Sequence, residues 1–241
     1  MVLHSASEQH VGMIADLADG YTADQVRAAE RPLLEAGDPL MDRAAAGLAR
    51  HVEGVLAARG RRTGHVVVLA GSGSNGGDAL LAAAALVERG STAVVVRLGA
   101  RVHGRGLRTA ERAGARVLPP DASAGSIAAA VAEADVVLDG VLGTGARGGL
   151  RAPGRQVVAR ILESAGRAAA VVAVDLPSGV DPDSGAVHPP VLRAGLTVTF
   201  GAGKAGLLRP PGRSVAGRVR VVDIGLGPVL SDVVPPVRHG L

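Results

Sequence analysis

One short segment of this 241-residue chain combines residue types that could bind an anion. Residues 71–78 read G-S-G-S-N-G-G-D, directly after the apolar run 65–70 and before the Ala/Leu-rich run 79–87. A strand, a glycine-rich loop and the start of a helix together present backbone N–H groups to a phosphate. The segment contains Asn75, the only asparagine in the chain. The alternative interpretation is that its glycines serve only a tight turn.

Three more polar or glycine-rich segments follow apolar runs that resemble strands: residues 139–149, 175–181 and 201–204. In an open parallel sheet, the loops at the carboxyl ends of the strands form the ligand-binding crevice. We therefore expect all four segments to meet at one edge of a sheet.

Oxygen-bearing side chains dominate these loops. Asp139 and Asp175 each end an apolar strand, where a carboxylate needs a cation or a substrate as partner. With the amide of Asn75 and the hydroxyl of Ser178 they offer hard oxygen ligands, which suit an alkali or alkaline-earth ion. Each carboxylate could instead cap a turn. Ser178 lacks the first glycine of G-x-S-x-G, so we expect it to bind a ligand rather than act as a nucleophile.

Two further observations bear on the class of protein. Lys204 is the only lysine among 26 basic residues, and it could neutralise a phosphate or simply solvate a loop. Gly71, Gly73 and Gly76 satisfy G-x-G-x-x-G, but the end of the second strand carries Arg97 and Leu98 where a nicotinamide dehydrogenase has an acidic residue. An ordinary dehydrogenase is therefore disfavoured.

Composition excludes several classes of protein. The chain has no cysteine and only two aromatic residues, which argues against thiolate sites and base-stacking nucleic-acid surfaces. No apolar run approaches the roughly 18 residues of a membrane span, and the first twenty residues do not resemble a secretion signal. We expect a cytoplasmic protein that binds neither nucleic acid nor membrane. Arginines 101, 105, 108, 112 and 116 would form a helical stripe, either a solvated face or a surface for an anionic ligand.

Alternating apolar and helical segments predict a doubly wound α/β domain. Candidate strands are His65–Ala70, Ala93–Leu98, Arg116–Leu118, Val136–Leu138, Ala170–Val174, Leu196–Phe200 and Val219–Val222. Candidate helices between them are Ala79–Arg89, Arg105–Ala113, Ser126–Ala134 and Arg155–Ser164.

Two further helices are predicted before the sheet. The first has a capping box of Thr22 and Gln25 and runs to about Ala36, and the second is capped by Asp38 with Pro39 at its first position. They could cover the sheet or form a dimer interface. We predict an N-terminal extension over residues 1–20, one domain over 21–227, and a tail or linker over 228–241.

Several of these segments, in order, resemble the NAD(P)H-hydrate epimerase family. Residues 71–78 are similar to the family's G-x-G-N-N-G-G-D loop, 139–145 to its D-a-l-f-G-t-G loop, and 175–179 to its D-x-P-S-G loop. Residues 197–208 and 221–225 are similar to its closing segments, so that the resemblance covers roughly residues 21–227. It implies a Rossmann-like three-layer α/β/α sandwich with a mostly parallel central sheet and two N-terminal helices.

The resemblance also implies a ligand set. A potassium ion would be held by Asn75, Asp139 and Ser178. The hydrated dinucleotide would be contacted by Ser74, Asn75, Gly76, Gly77, Asp78, Gly143, Thr144, Gly145, Ala146, Arg147, Gly148, Gly149, Asp175 and Lys204. Ser74 stands where the family has the first asparagine of N-N-G-G-D, and its side chain is shorter and lacks the amide.

The implied reaction interconverts the R and S forms of NADH or NADPH that has gained water at C6 of the nicotinamide ring. We expect Asp175 to transfer the proton, and the potassium ion to anchor the pyrophosphate or order the loops. The alternative function is a non-catalytic nucleotide-binding or scaffolding module of the same fold. In many relatives a dehydratase domain follows; nothing after residue 227 resembles it, so we expect a separate dehydratase or a longer product. A homodimer is also expected.

Overall fold

A seven-stranded sheet forms the centre of the computed structural model, which describes residues 19–99, 101–163 and 169–238. The strands in chain order are β1 Asp19–Gly20, β2 His65–Ala70, β3 Thr92–Arg97, β4 Arg116–Val117, β5 Val136–Gly140, β6 Ala170–Val174, β7 Leu196–Phe200, β8 Arg218–Val222 and β9 Val237–Arg238. The helices are α1 Ala23–Glu35, α2 Leu40–Ala57, α3 Ser74–Glu88, α4 Gly104–Ala113, α5 Ala124–Glu133, α6 Gly154–Glu163, α7 Ala205–Leu208, α8 Gly212–Ala216 and α9 Gly227–Leu230.

The order of strands creates a crevice at the middle of the sheet. It runs β4-β3-β2-β5-β6-β7-β8, and every neighbouring pair is parallel. From β2 the chain proceeds outward through β3 and β4, and then returns to the other side of β2 to form β5. Ligands bind at such a switch point, beyond the carboxyl ends of the strands.

Helices cover both faces of the sheet, because its strands are apolar on both sides. Val66 and Val68 of β2 pack in a core with α1 to α4, whereas Val67 and Leu69 face the opposite core with α5 and α6. This alternation is that of a strand buried on both faces. The expected three-layer α/β/α sandwich with a mostly parallel sheet is confirmed.

The two helices before the sheet are present, but only one begins as expected. In α1, Gln25 N donates to Thr22 Oγ1 at 3.1 Å and Thr22 N donates to Gln25 Oε1 at 2.9 Å, which confirms the capping box. The prediction that Asp38 caps α2 is wrong. Pro39 occupies the cap position without a side-chain bond, and Asp38 Oδ1 accepts from Arg43 Nη2 at 2.6 Å instead.

Helix α2 covers the sheet. A Cβ on Gly47 would lie 2.3 Å from Val222 Cγ1 of β8, so that this close approach requires glycine. Beyond α9, strand β9 pairs antiparallel with β1, and Gln25 Nε2 donates to Val234 O at 3.0 Å. The predicted extension over residues 1–20 lies, apart from 19 and 20, outside the described residues.

Candidate functional site

The glycine loop after β2 packs directly against the loop after β5. A Cβ on Gly71 would lie 1.9 Å from Val141 O, and one on Gly76 would lie 2.2 Å from Gly71 O. These contacts leave no room for a side chain at Gly71 or Gly76. Helix α3 begins at Ser74, earlier than the predicted Ala79. The first backbone N–H groups of α3 are available to bind an anion.

Hydrogen bonds connect the three side chains predicted to hold a cation, and the backbone of Leu142 links two of them. Ser178 Oγ donates to Asp139 Oδ1 at 2.6 Å, and Ser178 N donates to Asp139 Oδ2 at 2.8 Å. Leu142 N donates to Ser178 Oγ at 2.9 Å, and Leu142 O accepts from Asn75 Nδ2 at 3.2 Å. Loops that follow β2, β5 and β6 thus converge in space, as the sequence predicts.

Asp139 is a buried carboxylate without a cationic partner among the residues that the structure describes. Its exposed fraction is 1%. Burial raises the pKa of this carboxyl, and the hydrogen bonds from Ser178 oppose that rise. An added cation would compensate the desolvation.

Asp175 has an unusual backbone and a fixed side chain. Its φ is 70°, the only positive φ of a non-glycine residue in the described ranges. Its Oδ1 lies 2.5 Å from Lys204 Nζ and accepts from Thr199 Oγ1 at 2.8 Å. Both contacts are to Oδ1. A strained residue with a fixed carboxylate is typical of a functional position.

Neither role considered for Lys204 from sequence describes its surroundings. The side chain is 2% exposed, so it does not solvate a loop. Its ammonium also donates to Thr199 Oγ1 at 3.0 Å and Phe200 O at 2.9 Å. With Asp175 these contacts use its three donors, which favours holding Asp175 over neutralising a phosphate.

A cavity of about 490 Å³ lies at this edge of the sheet. The predicted contact residues that line it are Ser74, Asn75, Asp78, Gly143, Thr144, Gly145, Ala146, Asp175 and Lys204. Arg147 and Gly149 line a neighbouring cavity. Gly76, Gly77 and Gly148 line neither; a Cβ on Gly77 would lie 2.9 Å from His103 Cγ, which assigns that glycine to helix packing.

Helix α1 contributes residues that the sequence did not single out. Arg27 and Glu30 line the same cavity, and Arg27 Nη1 donates to Thr144 O at 3.0 Å. The capping box located α1 but contained no signal of where it packs. The helical spacing does place Glu30 one turn after the buried Val26, on the same face of α1.

The carboxylates of the cavity repel one another. Burial first, then the charges of Asp175 and Glu30, raise the pKa of Asp78 well above its usual range, and Lys204 opposes the rise. Burial likewise raises the pKa of Glu30. The cavity thus combines a carboxylate paired with lysine and two carboxyls whose pKa values burial raises.

Replacing Asp78 by asparagine should flatten the dependence of stability on pH. The pKa of Asp78 is raised in the folded protein. The stability that its carboxyl contributes is therefore fully present below the usual pKa of 3.8 and is lost as the pH rises through the raised pKa. The free energy of unfolding of Asp78→Asn should therefore fall less with rising pH than that of the unmodified protein. The difference is about 1.4 kcal/mol for each pH unit by which folding raises the pKa of Asp78. Urea unfolding across this pH range measures it. Asp232→Asn, at an exposed position, is the control, and equal slopes for all three proteins would contradict the prediction.

Comparisons with known proteins agree with this architecture. The family described as "YjeF-related protein N-terminus" matches residues 37–206. The NAD(P)H-hydrate epimerase of Clavibacter michiganensis subsp. michiganensis is 48% identical over 228 residues, covering 92% of this chain and 96% of its own; that of Clavibacter sepedonicus is 49% identical with the same coverage. The bifunctional NAD(P)H-hydrate repair enzyme Nnr of Mycobacterium tuberculosis is 42% identical, and the match spans 88% of this chain but 43% of that enzyme.

A solved structure has the same fold. The crystal structure of yeast YNL200c superposes with a TM-score of 0.68 at 23% identity, covering 78% of this chain and 82% of that one. No helix in the described ranges is long and apolar enough to cross a membrane. The family match and the identity to near full-length relatives confirm the resemblance inferred from the loops: the chain belongs to the NAD(P)H-hydrate epimerase family, whose domain is the YjeF-related N-terminus.

Proposed function

We propose that this protein is an isomerase that interconverts the R and S forms of hydrated NADH and NADPH at C6 of the nicotinamide ring. Family membership supports the reaction, since its relatives at 48% and 49% identity are named NAD(P)H-hydrate epimerase. The single observation that carries it in the structure is the strained, lysine-paired Asp175 in a cavity beside Asp78.

The chemistry requires loss and return of water. The lone pair of the ring nitrogen assists departure of the C6 hydroxyl, which leaves as water once it is protonated, and C6 and nitrogen then share an iminium bond. Water adds to the opposite face of C6 and gives up a proton. One group must donate a proton and another must accept one.

Two carboxyl groups of the cavity suit these roles. We assign Asp175, paired with Lys204, as the base that accepts the proton from incoming water. We assign Asp78, whose pKa burial raises well above its usual range, as the acid that donates to the departing hydroxyl. A pair of carboxyls in contrasting environments divides acid and base work in this way. Each turnover moves one proton from Asp78 to Asp175, and exchange with solvent restores the starting state.

The remaining contacts would bind the dinucleotide. The N-terminus of α3 at Ser74 and Asn75 suits the pyrophosphate, because its N–H groups attract anions. Residues 143–146 form the opposite wall, with Gly143 close to Asn75: a Cβ on Gly143 would lie 2.4 Å from Asn75 Oδ1.

Potassium is proposed as the cofactor, held by Asn75, Asp139 and Ser178. The residues fit a hard monovalent cation, since they supply an amide, a carboxylate and a hydroxyl, and Asp139 lacks a cationic partner among the described residues. No group of three or more His, Cys, Asp or Glu side chains in those ranges is arranged for a metal ion, which argues against a multi-carboxylate site. The bound ion would supply positive charge that ties the loops after β2, β5 and β6 together.

Potassium should raise the thermal midpoint relative to an equal concentration of an organic cation chloride. A ligand at a hundred times its Kd stabilises by roughly 2.7 kcal/mol. Asp139→Asn should abolish the response. Asp135→Asn is the matched control, because Asp135 is also buried but precedes β5 at the opposite edge of the sheet and pairs with Arg61. Loss of the response in both variants, or in neither, would contradict the assignment.

The reaction itself is tested by following conversion of the R form of hydrated NADPH by chromatography with the purified protein. The approach to the R and S equilibrium should accelerate in proportion to protein concentration. A thermal shift with nucleotide but no acceleration would favour a non-catalytic binding module instead. We further propose cytoplasmic action and a homodimer. A separate or fused dehydratase is proposed as functional partner, because the longer relative from Mycobacterium tuberculosis is named as bifunctional.

A further inference from the structure

A second and larger cavity lies beside the first. It has a volume of about 1300 Å³ and shares with the first cavity a wall formed by Ser72, Val141, Leu142, Gly145 and Ala146. One elongated ligand could therefore occupy both. The mechanism uses only the first.

The charged residues that line this second cavity in the described part of the chain are all basic. They are Arg97, Arg101, Arg147 and Arg151, with no aspartate or glutamate among the described lining residues. In the described ranges, none of these four arginines forms an ion pair. The Nε of Arg97 is buried and has no hydrogen-bond partner among the residues that the structure describes. A buried guanidinium N–H without a hydrogen-bond partner costs free energy unless an anion provides the missing acceptor.

The position of Arg97 indicates which anion. It is the last residue of β3 and is in register with Ala70, the last residue of β2, just before the glycine loop. In dinucleotide-binding sheets the end of this second strand contacts the adenosine ribose. An acidic residue there binds a free 2′-hydroxyl, whereas an arginine accommodates a 2′-phosphate.

The two cavities lie at different positions along the carboxyl edge of the sheet, as the two halves of a bound dinucleotide would. The first cavity lies at Asp175, which follows β6, and the second lies at the end of β3, on the other side of β2. A nicotinamide ring at Asp175 with its pyrophosphate at the start of α3 directs the adenosine half toward Arg97.

We propose that the second cavity binds the 2′-phosphorylated adenosine half of the substrate and that Arg97 makes this protein select hydrated NADPH over hydrated NADH. The preference rests on the proposed function. Arg101 and Arg151 add positive charge around the same phosphate.

The first test compares kcat/KM for the two substrates. The unmodified protein should prefer hydrated NADPH, and Arg97→Gln should raise KM for that substrate roughly 10- to 100-fold, as expected for loss of a charge-assisted contact. The kcat values, and KM for hydrated NADH, should change little. Arg112→Gln on the exposed side of α4 removes the same charge outside the cavity and should leave both substrates unaffected. Equal use of both substrates, or an equal loss for both in Arg97→Gln, would overturn the proposal.

The second test does not depend on epimerisation. Calorimetry with 2′,5′-ADP and 5′-ADP should show tighter binding of 2′,5′-ADP, and Arg97→Gln should remove the difference. If the partly buried Arg97→Gln variant folds poorly, Arg151→Gln serves in its place, because Arg151 is exposed. This second variant should reduce the difference in affinity between 2′,5′-ADP and 5′-ADP. This preference without any epimerisation would refute the proposed reaction but keep the adenosine site. Epimerisation without the preference would refute the site but keep the reaction.

Discussion

Replacing Asp175 by asparagine slows epimerisation roughly 100- to 10,000-fold, the usual contribution of a positioned acid or base. Asparagine has the same shape and tolerates the φ of 70° that the backbone requires. Its amide oxygen can still accept from Thr199 Oγ1, which lies 2.8 Å from Asp175 Oδ1. What the variant loses is the ability to take up a proton. Ligand binding should therefore remain measurable.

The rate is measured by chromatographic analysis of R and S hydrated NADPH, with the protein-free rate subtracted. Asp232→Asn, an exposed acidic position, controls for loss of negative charge. Asp175→Asn also leaves Lys204 without its carboxylate, so the double variant Asp175→Asn with Lys204→Met, which removes that unpaired charge, should be equally slow. Turnover like that of the unmodified protein would remove Asp175 from the catalytic role.

Replacing Lys204 by methionine lowers the free energy of unfolding by about 3–5 kcal/mol. Lys204 and Asp175 are 2% and 6% exposed at their side chains, and their ion pair measures 2.5 Å. Methionine nearly preserves the length of the side chain but leaves a carboxylate buried without compensation. The Thr199 hydroxyl and the Phe200 carbonyl also lose a donor.

Urea unfolding of single and double variants separates the charge effect from packing. The double variant with Asp175→Asn should cost less than the sum of the two single changes, because it removes both charges. Arg89→Met is the matched control: Arg89 pairs with Glu53 at 3.0 Å, but both side chains are substantially exposed, so about 0–1 kcal/mol is expected. A cost for Lys204→Met no larger than that of the control would show that the buried pair contributes little.

Most of the sheet was predictable because each strand is a short apolar run bounded by turn residues. β2, β6 and β7 have the predicted ends, and the other four central strands differ by one or two residues. Helix starts were harder. Asp38 is a good capping residue by type, but Arg43, one turn into α2, engages its carboxylate instead.

The site was predictable in part, since parallel strands place the ends of successive loops at one edge. Asp139, Asp175 and Ser178 could be assigned to that edge from sequence. The pairing of Lys204 with Asp175 was also within reach, because they follow the neighbouring strands β7 and β6. The contributions of Glu30 and Arg27 could not be predicted from sequence, because they depend on how α1 packs over the cavity. The raised pKa of Asp78 could not be predicted either, because it depends on burial and on neighbours in three dimensions.

The most direct test of the proposed chemistry follows the R form of hydrated NADPH in water enriched in oxygen-18, with and without the protein. Loss and return of water at C6 in a cavity that holds Asp175 and Asp78 should produce the S form faster in proportion to protein concentration, with oxygen-18 at C6 accumulating as turnover proceeds. Conversion no faster than in the protein-free sample would contradict the proposed activity. Rapid conversion that retains the original oxygen would contradict the proposed roles of the two carboxyl groups.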